Sequence, residues 1–166
     1  MIIGVDEAGR GPLAGPVVAG AVLLCEGGIA GLNDSKKLSA KRRAVLEAEI
    51  KARCRWAVGV ASAEEIDQIN ILQATFLAMT RAVEALCADL GGAVPTEVLV
   101  DGNRLPRWTY AARAIVGGDA SHPEISAASI IAKEHRDLLM REAAAQYPHY
   151  GWEKMPDTEP HNILRR

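Results

Sequence analysis

The sequence predicts an α/β fold: an open sheet covered by helices. Three observations lead there. Short apolar runs recur along the 166 residues, and those ending at Asp6, Asp101 and Asp119 each deliver a carboxylate. Helical stripes lie between the runs, most clearly Leu72, Phe76, Met79, Val83, Leu86 and Leu90 at three- and four-residue steps. Acids that follow apolar strands suit the carboxyl edge of an open α/β sheet, where ligands collect. A chain of this length is expected to be one domain that buries about two-thirds of its unfolded surface.

The first element is the strand Ile2–Val5, which runs into Asp6-Glu7-Ala8-Gly9-Arg10-Gly11-Pro12. Alternate side chains on a strand point to opposite faces, so Asp6 and Glu7 share a site only if the chain bends at Glu7. Gly9 and Gly11 permit such a bend. Two acids and an arginine beside flexible backbone would suit a divalent cation and a phosphate. An ordinary strand end with solvated acids reads the same way locally.

Pro16–Leu24 is near-continuously apolar, the pattern of a strand covered on both faces or of a buried helix. A polar turn, Asn33–Ser39, follows, and Ser39 is placed to cap a helix from about Ala40 to Ala52. Lys36, Lys37, Lys41, Arg42 and Arg43 form a basic cluster there, either a solvated face or a contact for nucleic-acid phosphates. Arg55–Ala61 alternates as a third strand. Ser62-Ala63-Glu64-Glu65 fits a capping box, and Asn70 caps the long striped helix that Gly91 and Gly92 stop. Met79 and Phe76 read as core. Glu97–Asn103 and Ala114–Asp119 are the fourth and fifth strands. Pro123 opens the last helix, which runs to about Gln146, before Pro148.

Composition excludes little beyond the extremes. The net charge is −2 and aromatic residues are scarce. No uninterrupted apolar run reaches the roughly 18 residues of a membrane span, and the N-terminus lacks a signal-peptide pattern. Cys25, Cys54 and Cys87 are odd in number and widely spaced, as in a reduced cytoplasmic protein.

If the first and fourth strands are parallel neighbours, Asp6, Glu7, Asp101 and Asp119 converge. Four clustered carboxylates repel one another and raise each other's pKa values unless a cation intervenes. Hard oxygen ligands favour Mg²⁺ or Mn²⁺ over zinc. Two such ions would make a phosphoryl-transfer centre.

The chain resembles ribonuclease HII, the type 2 class of ribonuclease H. The resemblance rests on Gly-Val-Asp-Glu-Ala-Gly-Arg-Gly-Pro (4–12), Asn-Asp-Ser-Lys-Lys-Leu (33–38), Ile-Asn-Ile-Leu-Gln-Ala-Thr (69–75), Val-Asp-Gly-Asn (100–103) and Ser-Ala-Ala-Ser-Ile-Ile-Ala-Lys (126–133). It implies a ribonuclease-H-like fold with a five-stranded mixed sheet flanked by helices, as a catalytic domain over residues 1–152. It further implies an endonuclease that acts on the RNA strand of RNA–DNA hybrids and 5′ to ribonucleotides in duplex DNA, leaving 3′-hydroxyl and 5′-phosphate ends. The catalytic positions fall on Asp6, Glu7, Asp101 and Asp119, with Asp6, Glu7 and Asp101 as metal ligands. The substrate contacts fall on Gly9, Arg10, Gly11, Ser35, Lys36 and Lys37. A cytoplasmic monomer using Mn²⁺ or Mg²⁺, with two ions during catalysis, is expected. Ser126, Ser129 and Lys133 are expected to help the last helix pack and approach substrate, Arg136 and Asp137 to be helix-surface or buttressing charges, and His135 and His149 to be surface residues.

Two features depart from the family pattern. Gly117 stands where the family has a lysine, and residues 153–166 form an atypical tail without the tyrosine that stacks at the RNA–DNA junction. The rival expectation is therefore a hybrid-binding module whose catalysis is impaired by loss of that segment.

Overall fold

The computed structural model describes residues 1–10 and 14–146. Gly11, Tyr147, His149 and the tail at 153–166 lie outside the described residues. Strands β1 (Ile2–Ala8), β2 (Val17–Leu23), β3 (Arg55–Ala61), β4 (Glu97–Asp101) and β5 (Ala112–Ile115) form one sheet in the order β3-β2-β1-β4-β5. β1 pairs antiparallel with β2, and β2 with β3. β1 pairs parallel with β4, and β4 with β5. The expected five-stranded mixed sheet is therefore present, and the apolar run after Pro16 is a strand.

Helices cover both faces. On one face lie α2 (Ala63–Ile69) and α3 (Ile71–Asp89), packed over Ile3, Val5, Val17, Ala19, Ala21, Val98 and Val100. On the other lie α1 (Ala40–Arg53) and α5 (Pro123–Gln146), packed around Val22, Trp56 and Val58. The period-2 alternation of the strands divides their side chains between these two layers.

Close approach of helix to sheet depends on glycine. A Cβ on Gly20 would lie 2.5 Å from Ala128 O of α5, and one on Gly59 would strike α3 at Ala78 O. Small side chains on the helices complete the fit: Ala74, Ala78 and Ala82 on α3, and Ala127, Ala128 and Ala132 on α5, are all buried. Among the described residues, α3 is the one helix long and apolar enough to cross a membrane. Here it is a core helix, with Met79, Val83 and Leu86 buried against the sheet.

Local caps fall where the sequence places them. Ser39 accepts from the Arg42 amide at 3.1 Å, Asn70 accepts from Gln73 N, and Ser62 with Glu65 makes a full capping box. The three cysteines are free thiols.

The fifth strand differs from expectation. β5 ends at Ile115, and Gly117, in the left-handed region at φ 68°, turns the chain into a one-turn helix, α4 (Gly118–Ser121). Asp119 therefore sits in a helical turn and not at a strand end. His135 is half-buried, not a surface residue, and burial lowers its pKa.

Candidate active site

The parallel pairing of β1 and β4 runs up to Val5 opposite Val100, so Asp6 and Asp101 are the next residues of adjacent strands. Both point to the α5 face, opposite the face of Val5 and Val100. α4 brings Asp119 to the same point, and its amide donates to Asp101 Oδ1 at 3.3 Å. One carboxylate oxygen from each of Asp6, Asp101 and Asp119 lies within 4.8 Å of the others.

Glu7 reaches the site differently from expectation. The chain does not bend there, because the β1–β2 ladder continues through Glu7–Ala19 and Ala8–Val18. Glu7 points to the α3 face instead. β4 stops at Asp101, where Gly102 turns away at φ 114°, and leaves the β1 edge uncovered beside Glu7. Glu7 and Asp101 consequently border two cavities. One, of about 380 Å³, is lined by Asp6, Glu7, Gly9, Arg10, Ser35, Lys36, Asp101, Asp119, Ser129 and Lys133. The other, of about 360 Å³, lies under α3 and includes Thr75, Phe76 and Met79. Phe76 is thus only partly core, while Met79 is buried.

The electrostatics mark the acids as a strained set. Asp6 is 4% exposed, and burial, with Glu7 and Asp101 adding repulsion, raises its pKa well above the usual carboxylate value. The Glu7 amide donates to Asp6 Oδ1 at 2.8 Å and only partly offsets this. Burial also raises Glu7, against the opposing pull of Arg10. Asp119 is raised by burial and then by Asp101. Among the described residues no lysine or arginine forms an ion pair with Asp6, Asp101 or Asp119. Three close carboxylate oxygens, one of them buried, with no ion pair to a protein cation among the described residues, fit a hard divalent ion.

The other site residues divide. Ser35 and Lys36 line the acidic cavity, held by a 3-10 turn (Ser35–Lys37) that Asp34 caps by accepting from Lys36 N at 2.9 Å. Lys37 is exposed and is not among the lining residues. Arg43 leaves the expected basic face. Its side chain is only 14% exposed, donates to Ser35 O and Leu38 O, and pairs with Glu134 at 3.4 Å. Sequence reasoning overlooked Asp34, whose carboxyl adds to the raised pKa of Asp119. Its place in the Asn-Asp-Ser-Lys-Lys motif was the available signal. Lys133 reaches the cavity wall while paired with Asp137 at 2.8 Å.

The backbone superposes on the ribonuclease HII of Archaeoglobus fulgidus, solved in complex with PCNA, with a TM-score of 0.70 and 28% identity over 89% of this chain and 77% of that one. A mixed sheet of this topology, with an acid cluster fit for divalent cations at the carboxyl ends of β1 and β4, is a ribonuclease-H-like α/β fold, and the family matches that follow make it that of a metal-dependent ribonuclease H, an endonucleolytic hydrolase. The ribonuclease HII family profile matches residues 3–161. The chain is 76% identical to a ribonuclease HII of Sphingopyxis alaskensis over 92% of this chain and 75% of that protein. It is 67% identical to one of Novosphingobium aromaticivorans, over 92% and 81%. The chain belongs to the ribonuclease HII family.

Proposed function

We propose that this chain hydrolyses the RNA strand of RNA–DNA hybrids and cuts duplex DNA on the 5′ side of an embedded ribonucleotide, leaving 3′-hydroxyl and 5′-phosphate ends. The observation that carries this reading is one cavity lined by the acids Asp6, Glu7, Asp101 and Asp119 together with Gly9 and Arg10. Asp6 and Asp101 would hold Mn²⁺ or Mg²⁺, with Glu7 and Asp119 on either side. Bound divalent ions supply a Lewis acid at the phosphate and a water acidic enough to attack at neutral pH.

The chain's own groups do the rest. The Glu7 and Asp119 amides fix the carboxylates of Asp6 and Asp101, so little reorganisation is needed when substrate arrives. Gly9 and Arg10 present backbone to the sugar, and the 2′-hydroxyl is the group that separates RNA from DNA at a given position. Gly11, expected to share this role, lies outside the described residues. Lys36, on the cavity wall, offers positive charge to the phosphate backbone.

The test pairs a duplex carrying one ribonucleotide with an all-DNA duplex of the same sequence, each incubated with Mn²⁺, and maps the product ends. Cutting confined to the ribonucleotide duplex, 5′ to the ribose, is expected. Equal cutting of both duplexes overturns the reading. Tight hybrid binding without any product replaces it with a binding module.

A further inference from the structure

We propose that Arg136 is a positioning residue for substrate selection, its guanidinium holding the Ala14–Pro16 backbone against the exit of β1 so that Gly9 and Arg10 stay at the mouth of the acidic cavity. The inference rests on the ribonucleotide-selective reading above. Arg136 lies on α5 and is 8% exposed. Its Nε donates to Pro16 O at 2.9 Å and its Nη2 to Ala14 O at 3.0 Å, groups 120 and 122 residues away in sequence. Among the described residues it forms no ion pair.

A buried guanidinium without a carboxylate is a costly way to fill space, and Leu or Met would pack there more cheaply. Its distinctive capacity is a rigid planar fork that holds two acceptors at a set separation. The two carbonyls it holds belong to the return arm of the β1–β2 connection. The outgoing arm touches the same group. Gly9 has φ 102°, and a Cβ there would lie 2.5 Å from Pro16 O and would also strike Arg136 Nε. Gly9, Pro16 and Arg136 therefore form one close-packed contact, and Gly9 and Arg10 continue from it to the cavity wall.

α5 anchors the opposite rim as well. Ser126 Oγ donates to Asn33 O at 2.7 Å. Glu134 pairs with Arg43, which in turn donates to Ser35 O and Leu38 O. Both rims of the cavity are thus tied to one helix, and Arg136 is the tie on the ribose-facing side.

The experiment compares wild type with Arg136→Met and Arg136→Lys, each well below its own melting temperature. Binding is read without turnover, as the Kd for a ribonucleotide-bearing duplex and for its all-DNA counterpart in EDTA. kcat and KM are read separately in Mn²⁺, and the Mn²⁺ midpoint is read by calorimetry without substrate. Arg136→Met is expected to lower kcat/KM on the ribonucleotide duplex about 10- to 100-fold, the scale of a small misplacement at a reacting centre. The ribose-to-deoxyribose preference in Kd should shrink, and the Mn²⁺ midpoint should stay within about twofold of wild type. Lysine keeps the charge but not the fork, so Arg136→Lys should recover folding and only part of the selectivity. Wild-type Kd ratios and KM in Arg136→Lys overturn the inference, and this variant decides alone if Arg136→Met does not fold. Defects that vanish once the variants are fully folded also overturn it. A wild type that cuts the two duplexes equally in Mn²⁺ removes the proposed function and this inference together, whereas a wild type that cuts only the ribonucleotide duplex, with unaffected variants, removes only the inference.

Discussion

The Asp119 amide, in the first turn of α4, donates to Asp101 Oδ1 at the tip of β4. The bond uses one oxygen of Asp101 and leaves its charge to the cavity. Asp101→Asn keeps that acceptor and removes the charge, so folding should survive while chemistry does not. Loss of a group outside a metal's ligand shell commonly costs 10- to 100-fold, so loss of the charge proposed to hold the metal should cost more than about 100-fold in metal-dependent cleavage. Turnover assays beside a thermal melt read this directly, and a rate within tenfold of wild type would remove Asp101 from the metal centre.

The pH dependence of the metal-free protein follows from the raised carboxyls. Asp6, Glu7 and Asp119 are raised in the folded state, so between the unfolded value near 4 and the folded value the native chain binds more protons. Their contribution to stability is fully present below the unfolded value and is lost as pH rises through the folded values. In EDTA the melting temperature should fall over that window, and Asp6→Asn should flatten the fall. Excess Mg²⁺ should protect increasingly as pH rises. An identical pH slope in Asp6→Asn would disprove the assignment.

Salt dependence separates the basic residues. On a duplex, removing a single protein–phosphate interaction lowers the slope of log affinity against log salt by about 0.9. Lys36→Ala should produce a change of about that size, since Lys36 lines the cavity. Arg43→Gln should leave the slope unchanged, because Arg43 is turned inward onto Ser35, Leu38 and Glu134. Filter binding across a salt series at fixed pH distinguishes them.

Glu65 offers a test away from the site. Arg81 and the Ser62 amide hold its pKa down to about 2. A lowered carboxyl stabilises above its unfolded value, and that contribution is lost as pH falls through the folded one. The pair is solvent-screened, so Glu65→Gln should cost only up to about 1 kcal/mol at pH 7. The difference from wild type should close as the pH approaches 2. A constant difference across the acid range would assign the effect to packing.

Local chemistry was legible in the sequence. Ser39, the Ser62–Glu65 box and Asn70 each act within three residues, so their geometry is encoded where it is used. The acids were legible as residues, since an apolar run ending in a carboxylate marks a strand heading for a polar edge. The fifth strand was drawn too far, through Gly117 to Asp119, because the sequence does not show that Gly117 takes the left-handed conformation that starts α4.

What the sequence alone determined was the inventory: the strands and caps, the acids Asp6, Glu7, Asp101 and Asp119, and the family motifs around them. The tertiary structure decided their arrangement. Parallel pairing of β1 with β4 set Asp6 beside Asp101 on the α5 face, and the early end of β4 let Glu7 reach the same edge from the other side. The same long-range packing set Glu134 of α5 against Arg43 and buried Arg136 against carbonyls about 120 residues away. Such pairings arise only when sheet and helices close on one another, because no local pattern encodes which distant carbonyl will need a donor.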